Sequence, residues 1–328
     1  MRAYLLPAPD EAARLGEAPV PEPGPGEIRI RVTATSVNPV DDLIRHGRFR
    51  GSQEHRFPAI LGRDVAGLVD ALGPGVSTWT EGAQVFGFVK REYVGDGTFA
   101  DYVVVPEGSF VAPVPAGVPL PRAAALGLAG VTALECVDAV PSGPGDVVLV
   151  NGAAGAVGTF AVQLAKARGA TVLATARSDE GLRLLGELGV EHVLDLRDSD
   201  LVDACLVPAP GGVDGLIDLA RHGEPPLGRD DVTPAHREFA RLCAALLTDD
   251  GRASSTTNGG RPELLNPGRF SNIHSTPTRA SLERIAEAVG RGDVRPVISH
   301  EFGFDDIEAA FDRLMTPGTT GNVMVTLE

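Results

Sequence analysis

Lysine is almost missing from this 328-residue chain: Lys90 and Lys166 are the only two, so 27 of its 29 cations are arginines. A GC-rich genome that favours Arg and Ala codons accounts for that bias better than a selected role does. Positive charge of either kind is outnumbered by 44 carboxylates, and the formal charge of −15 argues against nucleic-acid backbones and anionic membranes as partners. Cysteine is scarce too. Cys136, Cys205 and Cys243 lie far apart, with no Cys-x-x-Cys pair and no histidine at ligand spacing, which excludes a zinc knuckle. A disulfide framework is equally out of place in a chain of this length, which fits a reducing compartment. The seven histidines, at 46, 55, 192, 222, 236, 274 and 300, show no metal spacing, and no metal site is expected. Long hydrophobic runs are absent, none reaching the roughly 18–20 residues that a bilayer span needs. The opening Met1 to Pro7 lacks an apolar core of useful length before Asp10 and Glu11. A soluble, cytoplasmic protein is the expectation.

What is present has the make-up of a globular chain: 43% hydrophobic residues, 40 glycines and 26 prolines. Its length predicts two domains. Residues 1 to about 121 read as short strands between Gly/Pro turns. Ile28-Arg29-Ile30-Arg31-Val32 alternates with period two, as a half-buried strand does. Further strands are expected at Ala66 to Leu72 and Ala100 to Val105. Near Pro121 the texture changes. Arg122 to Val140 reads as a helix, and Val147-Val148-Leu149-Val150 is a continuous apolar strand of the kind that parallel sheets bury on both faces. Helices at Thr159 to Arg168 and Asp179 to Leu188 alternate with strands at Thr171 to Thr175 and Glu191 to Asp195. Val213 to Leu219 and Ala253 to Thr257 continue the series. This alternation predicts an α/β doubly wound parallel sheet. Helices at Ser281 to Gly290 and Phe304 to Leu314 and a strand at Asn322 to Leu327 close the chain.

The first strand of that sheet runs into Asn151-Gly152-Ala153-Ala154-Gly155-Ala156-Val157-Gly158, a glycine turn that opens a helix. Gly155 lets the backbone approach a pyrophosphate, Gly158 lets helix and strand pack closely, and the free N–H groups of the helix start stabilise phosphate charge. A strict fingerprint has Gly at 153, where this chain has Ala. The second strand ends Thr175-Ala176-Arg177-Ser178, where an NAD site carries an acid for the ribose 2′-hydroxyl. A guanidinium and a hydroxyl suit a 2′-phosphate instead, so NADP(H) is the expected cofactor. Asp179 and Glu180, one step on, read as caps of the next helix.

Together with the turn, four further segments occur in a fixed order: Ser36-Val37-Asn38-Pro39-Val40-Asp41 with Arg45 and Gly47, Pro58 to Gly67, Gly97 to Pro106, and Leu128 to Ala133. They resemble the medium-chain dehydrogenases/reductases over nearly the whole chain. The Ala-Ala-Gly-x-Val-Gly form of the turn is similar to that of the zinc-free quinone oxidoreductase branch that includes zeta-crystallin. The resemblance implies a groES-like β-rich catalytic domain, 1–121 completed by 276–328. A Rossmann NADP(H)-binding domain, 122–275, is inserted into it, with the active site in the cleft between them and often a homodimer. Zinc-dependent relatives carry a Cys where this chain has Asn38 and a His-Glu pair where it has Arg63-Asp64. They also have a four-Cys lobe, absent from Phe88 to Phe99. The implied reaction is therefore hydride transfer from NADPH to a quinone or to the β-carbon of an α,β-unsaturated carbonyl, without metal.

By the same resemblance Asn38 lies beside the nicotinamide ribose and substrate, a role compatible with capping a turn before Pro39, and Thr132 places a hydroxyl near the nicotinamide. Asp64 reads as structural, bonding backbone or Arg45. The chain departs from the branch at Leu43, where many relatives carry a Tyr that donates a proton. Tyr93 is the candidate replacement, against the plainer reading of a surface tyrosine, and His46 and His55 are weaker candidates. Ala220 to Ala235 is longer and more charged than the usual short glycine turn, and reads as a solvated loop or a lid. A biosynthetic tailoring enzyme, such as a polyketide-type enoyl reductase or one catalysing a non-reductive step, and a non-catalytic NADPH-binding protein stay open as alternatives.

Overall fold

Alternation of apolar and polar residues builds the first of two compact units. The computed structural model describes residues 1–47, 49–220 and 232–327. One unit comprises Met1–Val131, Thr276–Arg291 and Pro296–Glu328; the other comprises Thr132–Ser275 and Gly292–Arg295. In the first, the strand Glu27–Ser36 buries Ile28, Ile30, Val32 and Ala34 on one face. It pairs antiparallel with Asp64–Leu72, Tyr102–Pro106 and Asn322–Thr326, which makes it the spine of a seven-stranded sheet. A second sheet of four strands joins Arg2–Leu6 to Arg14–Glu17 and Glu54–Ile60, and Glu54–Ile60 to Tyr93–Asp96.

Three fully buried rings, Tyr4, Phe99 and Phe311, anchor this unit's core, with centroids 5.9–6.3 Å apart. The Arg45 guanidinium lies 4.1 Å from the Phe311 ring centroid and pairs with Asp42 at 2.9 Å and Glu308 at 2.8 Å. The Tyr4 hydroxyl donates to the Glu308 carboxylate. Arg45 belongs to a helix the sequence does not announce, Pro39–Arg45, since seven residues show no periodicity. Pro39 at its first position and Asp41 and Asp42 in its first turn are the local reasons it forms.

The expected helix from Arg122 to Val140 is two pieces, a 3₁₀ segment Leu120–Leu126 and an α-helix Leu128–Asp138, bent by 41°. Gly127 stands at the break because a Cβ there would lie 2.3 Å from Asp64 Oδ1 and 2.6 Å from the Gly87 carbonyl. No single helix among the described residues is long and apolar enough to cross a membrane.

The second unit holds six parallel strands: β1 (Val147–Asn151), β2 (Thr171–Ala176), β3 (His192–Asp195), β4 (Val213–Asp218), β5 (Leu247–Ser255) and β6 (Phe270–Asn272). Their order, 3-2-1-4-5-6, is that of a Rossmann sheet, as the alternating pattern predicts. β5 starts six residues before the expected Ala253, because its polar opening Thr248-Asp249-Asp250-Gly251 reads as a turn in sequence. β6, three residues long, gives no sequence signal at all.

Phe311→Ala removes one ring of a fully buried trio and is expected to cost about 3–5 kcal/mol, read as a lower urea midpoint.

Candidate functional site

The glycine turn follows β1 and opens the helix Ala156–Ala167. Gly152 takes a positive φ of 83°, so the turn's left-handed residue is glycine and Ala153 stands in the fingerprint without strain. A Cβ at Gly158 would lie 2.4 Å from the Gly152 carbonyl and 2.6 Å from Ala153 Cα, which is why helix and turn close only on glycine there. Gly155 is the N-cap and no side chain caps the helix. The N–H groups of Ala156, Val157 and Gly158 have no carbonyl one turn back inside the helix and suit an anion.

A buried side-chain network fastens this turn. Gly152 N–H donates to Thr175 Oγ1 at 2.9 Å, Thr175 donates to Asn151 Oδ1 at 3.0 Å, and Asn151 Nδ2 donates to Asp218 Oδ1 at 2.8 Å. Asn151 and Asp218 are register partners at the ends of β1 and β4, where the strand order reverses. Ser255 pairs with Asp218 and Asn272 with Ser255, so one row of polar residues crosses the carboxyl edge of four adjacent strands. Ligands of open α/β sheets bind at that reversal. Sequence reading finds the glycines and misses this row, because its members are single polar residues closing strands far apart in the chain. Thr132 is buried in the helix Leu128–Asp138.

At the end of β2, Ala176 is buried and Arg177 is exposed. Arg177 donates to the Leu196 carbonyl at 3.3 Å and forms no ion pair among the described residues. The cap of the next helix, Asp179–Glu187, is Ser178, whose Oγ accepts from Gly181 N–H at 3.2 Å. That corrects the reading of Asp179 and Glu180 as caps: a cap must sit before the helical φ/ψ begin, and both residues lie inside it. Asp179 instead pairs with Arg197 at 2.7 Å.

In the first unit the candidates gather around Asp64, which is fully buried and accepts from Leu128 N–H at 2.8 Å, Asn38 Nδ2 at 2.8 Å and the Ser36 hydroxyl. Arg45 is not its partner, being committed to Asp42 and Glu308. Asn38 begins the Pro39–Arg45 helix, and its N–H donates to Asp41 at 2.9 Å. Burial pushes the Asp64 carboxyl up to about 6 against its three hydrogen bonds. Burial pushes Asp41 up to about 7, with Arg63 pulling it down and Asp64 pushing it up. Tyr93 donates to Asp96 beneath the Arg56 guanidinium, 3.6 Å from its ring centroid; burial, then Asp96, raises its pKa. His46 Nδ1 meets the Asp42 carbonyl at 2.8 Å and His55 Nδ1 the Gln53 carbonyl at 3.0 Å. The loop-or-lid segment 220–235 falls on 221–231, outside the described residues.

Known proteins share these features. Residues 24–116 match the alcohol dehydrogenase GroES-like domain, and 156–225 match the zinc-binding dehydrogenase domain. Rat quinone oxidoreductase (Rattus norvegicus) is 31% identical over 301 residues, 90% of this chain and 87% of the relative. The chain belongs to the medium-chain dehydrogenase/reductase superfamily. A tomato 2-methylene-furan-3-one reductase (Solanum lycopersicum) is 30% identical over 313 residues, 93% of this chain and 73% of the relative. A crystal structure of an NAD-dependent alcohol dehydrogenase superposes with a TM-score of 0.85 at 27% identity, covering both chains fully. Membership makes this an oxidoreductase with a GroES-like β domain and a Rossmann unit that takes a nicotinamide cofactor and a small-molecule substrate. The positive-φ glycine, the uncapped helix start and the polar edge row fit that group.

Thr175→Val, which removes the anchor of Gly152, is expected to weaken binding of the reduced nicotinamide cofactor about tenfold in a fluorescence titration. A second expectation concerns acid. The folded chain holds the Asp64 and Asp41 protons more tightly than the unfolded chain, so between pH 3.8 and about 7 it carries more protons than the unfolded chain does. These two groups therefore subtract stability across that window as pH increases. Asp64→Asn is expected to flatten the stability–pH slope between 3.8 and about 6, measured by urea unfolding at stepped pH.

Proposed function

We propose that this chain is an NADPH-dependent reductase that passes a hydride to a quinone or to the β-carbon of an α,β-unsaturated carbonyl without using a metal. The observation that carries the metal-free reading is the donor set around Asp64. Where zinc-dependent relatives place Cys and His-Glu, this chain has an amide, a guanidinium and a carboxylate. Asn38 donates its Nδ2 to that carboxylate, and Ser36 and Leu128 occupy it further. A zinc ion takes thiolate, imidazole or free carboxylate, and this cluster offers a carboxylate already filled by three donors.

The choice of NADPH rests on Arg177. Arg177 is exposed with no ion pair among the described residues, and the neighbouring Asp179 pairs with Arg197, which it shares with Asp195. A 2′-phosphate meets there a cation held by a 3.3 Å bond to the Leu196 carbonyl, and an acid already paired. Ser178, which accepts a cap bond through Oγ, keeps its hydroxyl proton to donate to the same phosphate. Gly152, Ala153, Ala154, Gly155, Ala156, Val157 and Gly158 cradle the pyrophosphate, and Ala176 and Thr132 border the adenosine and nicotinamide ends. When bound, the reduced nicotinamide supplies the hydride. Asn38 orients substrate and nicotinamide ribose. Tyr93 serves as proton donor only by turning its hydroxyl from Asp96. The domain limits 1–121, 122–275 and 276–328, a homodimer and a cytoplasmic setting complete this reading.

Mixing the protein with NADPH and a panel of quinones and enones, and following the nicotinamide absorbance, tests it. Oxidation of NADPH by at least one class is expected, with NADH about tenfold poorer and Arg177→Ala abolishing the difference. A preference for NADH overturns the role of Arg177. Binding without oxidation across the panel overturns the reductase and leaves a nucleotide-binding protein.

A further inference from the structure

On the GroES-like unit an open recess is lined by Arg63, Arg91, Tyr93 and Asp96 among others. Arg63 is half-buried and its guanidinium makes no hydrogen bond or ion pair among the described residues; the ring of Phe88 lies 5.7 Å from it. The Nε of Arg91 is buried with no hydrogen-bond partner, its nearest carboxylate, Asp96, standing 3.8 Å away. A backbone bond just beyond the strands brings a third cation near: Val89 N–H donates to the Arg63 carbonyl at 2.7 Å, and the following Lys90 feels the charge of Arg63. The Lys90 ammonium donates to the neutral Thr276 hydroxyl at 2.7 Å and has no carboxylate partner among the described residues.

We propose that Arg63 and Arg91, with Lys90 beside them, form a binding site for an oxyanion, a carboxylate or phosphate carried by the substrate. Guanidinium forks match the two or three oxygens of such groups, and an anion satisfies both the unengaged Arg63 and the orphaned Arg91 Nε. The carboxylates nearby serve only in part. Asp96 receives the Tyr93 hydroxyl and stands 3.8 Å from Arg91, Asp64 is filled by three donors, and Asp41 attracts Arg63 from a distance while one of its oxygens receives Asn38 N–H. Among the described residues no carboxylate forms an ion pair with Arg63 within 4.0 Å. Burial lowers the pKa of Arg63 against the pull of Asp41, and burial and Arg63 itself lower that of Lys90.

Assigning the oxyanion to the substrate rests on the reductase reading, since Arg63 adjoins Asp64, the carboxylate that holds Asn38. The favoured substrate is then an acidic enone. Two measurements separate the claims. Calorimetric titration with inorganic phosphate and with acetate reads the site without turnover. One of the two is expected to bind wild type and Arg63→Lys at least about tenfold more tightly than Arg63→Gln, and which one does so tells phosphate from carboxylate. Phosphate held at Arg177 binds all three alike and cancels. Equal binding by wild type and Arg63→Gln overturns the site. In turnover with NADPH, 4-oxopent-2-enoate is compared with the neutral pent-3-en-2-one. The ratio of their kcat/KM values is expected to fall about tenfold in Arg63→Gln and to recover in Arg63→Lys, which also controls for folding. An unchanged ratio overturns the substrate assignment. Differential anion binding with neither enone reduced upholds the site and overturns its assignment to an enone substrate, while the reductase reading itself falls only if the quinones fail as well.

Discussion

A single buried carboxylate organises the first unit. Asp64 begins one of its central strands, and three donors from three places in the chain converge on it: Ser36 at the end of the spine strand, Asn38 at the start of a short helix, and Leu128 beyond the Gly127 break. Taking an ionised carboxylate out of water is expensive unless each oxygen is paired, so these contacts constrain one another. The helix Pro39–Arg45 starts where it does because Asn38 is held. The long apolar helix breaks at residue 127 because only glycine clears the same carboxylate.

The Rossmann unit solves a comparable problem without a charge at the ligand. Its phosphate turn is positioned by Thr175 and Asn151, neutral side chains that terminate adjacent strands, and the acid in the series, Asp218, lies one strand further on. This arrangement leaves the uncapped helix start as the source of local positive potential. In a chain of charge −15, such local potential is what selects an anionic ligand, because the long-range field opposes one.

Much of this was legible in the sequence and some could not be. Continuous apolar strands and glycines at fixed offsets carry their meaning locally, and each stands where its spacing places it. The break at Gly127 was hidden, since a glycine among alanines and leucines reads as a tolerated helix residue unless its neighbour in space is known. The polar row Asn151, Asp218, Ser255 and Asn272 is assembled by strand register, which joins positions up to 121 residues apart that no local pattern connects. Of the two partners the sequence offers Asp64, the backbone one is found in Leu128 N–H, whereas Arg45 is drawn off by Glu308, 263 residues away from it.

The strand Asn322–Thr326 lies inside its sheet, between Ile298–Gly303 and the spine Glu27–Ser36. The last stretch of the chain is thus an interior structural member, and its register partners include Ser36, one of the donors to Asp64. During synthesis the Rossmann unit, nearly contiguous from Thr132 to Ser275, is complete while the first unit still lacks this strand. The two units therefore finish on different clocks. The carboxylate node cannot take its final form until Asn322–Thr326 has left the ribosome and paired with the spine.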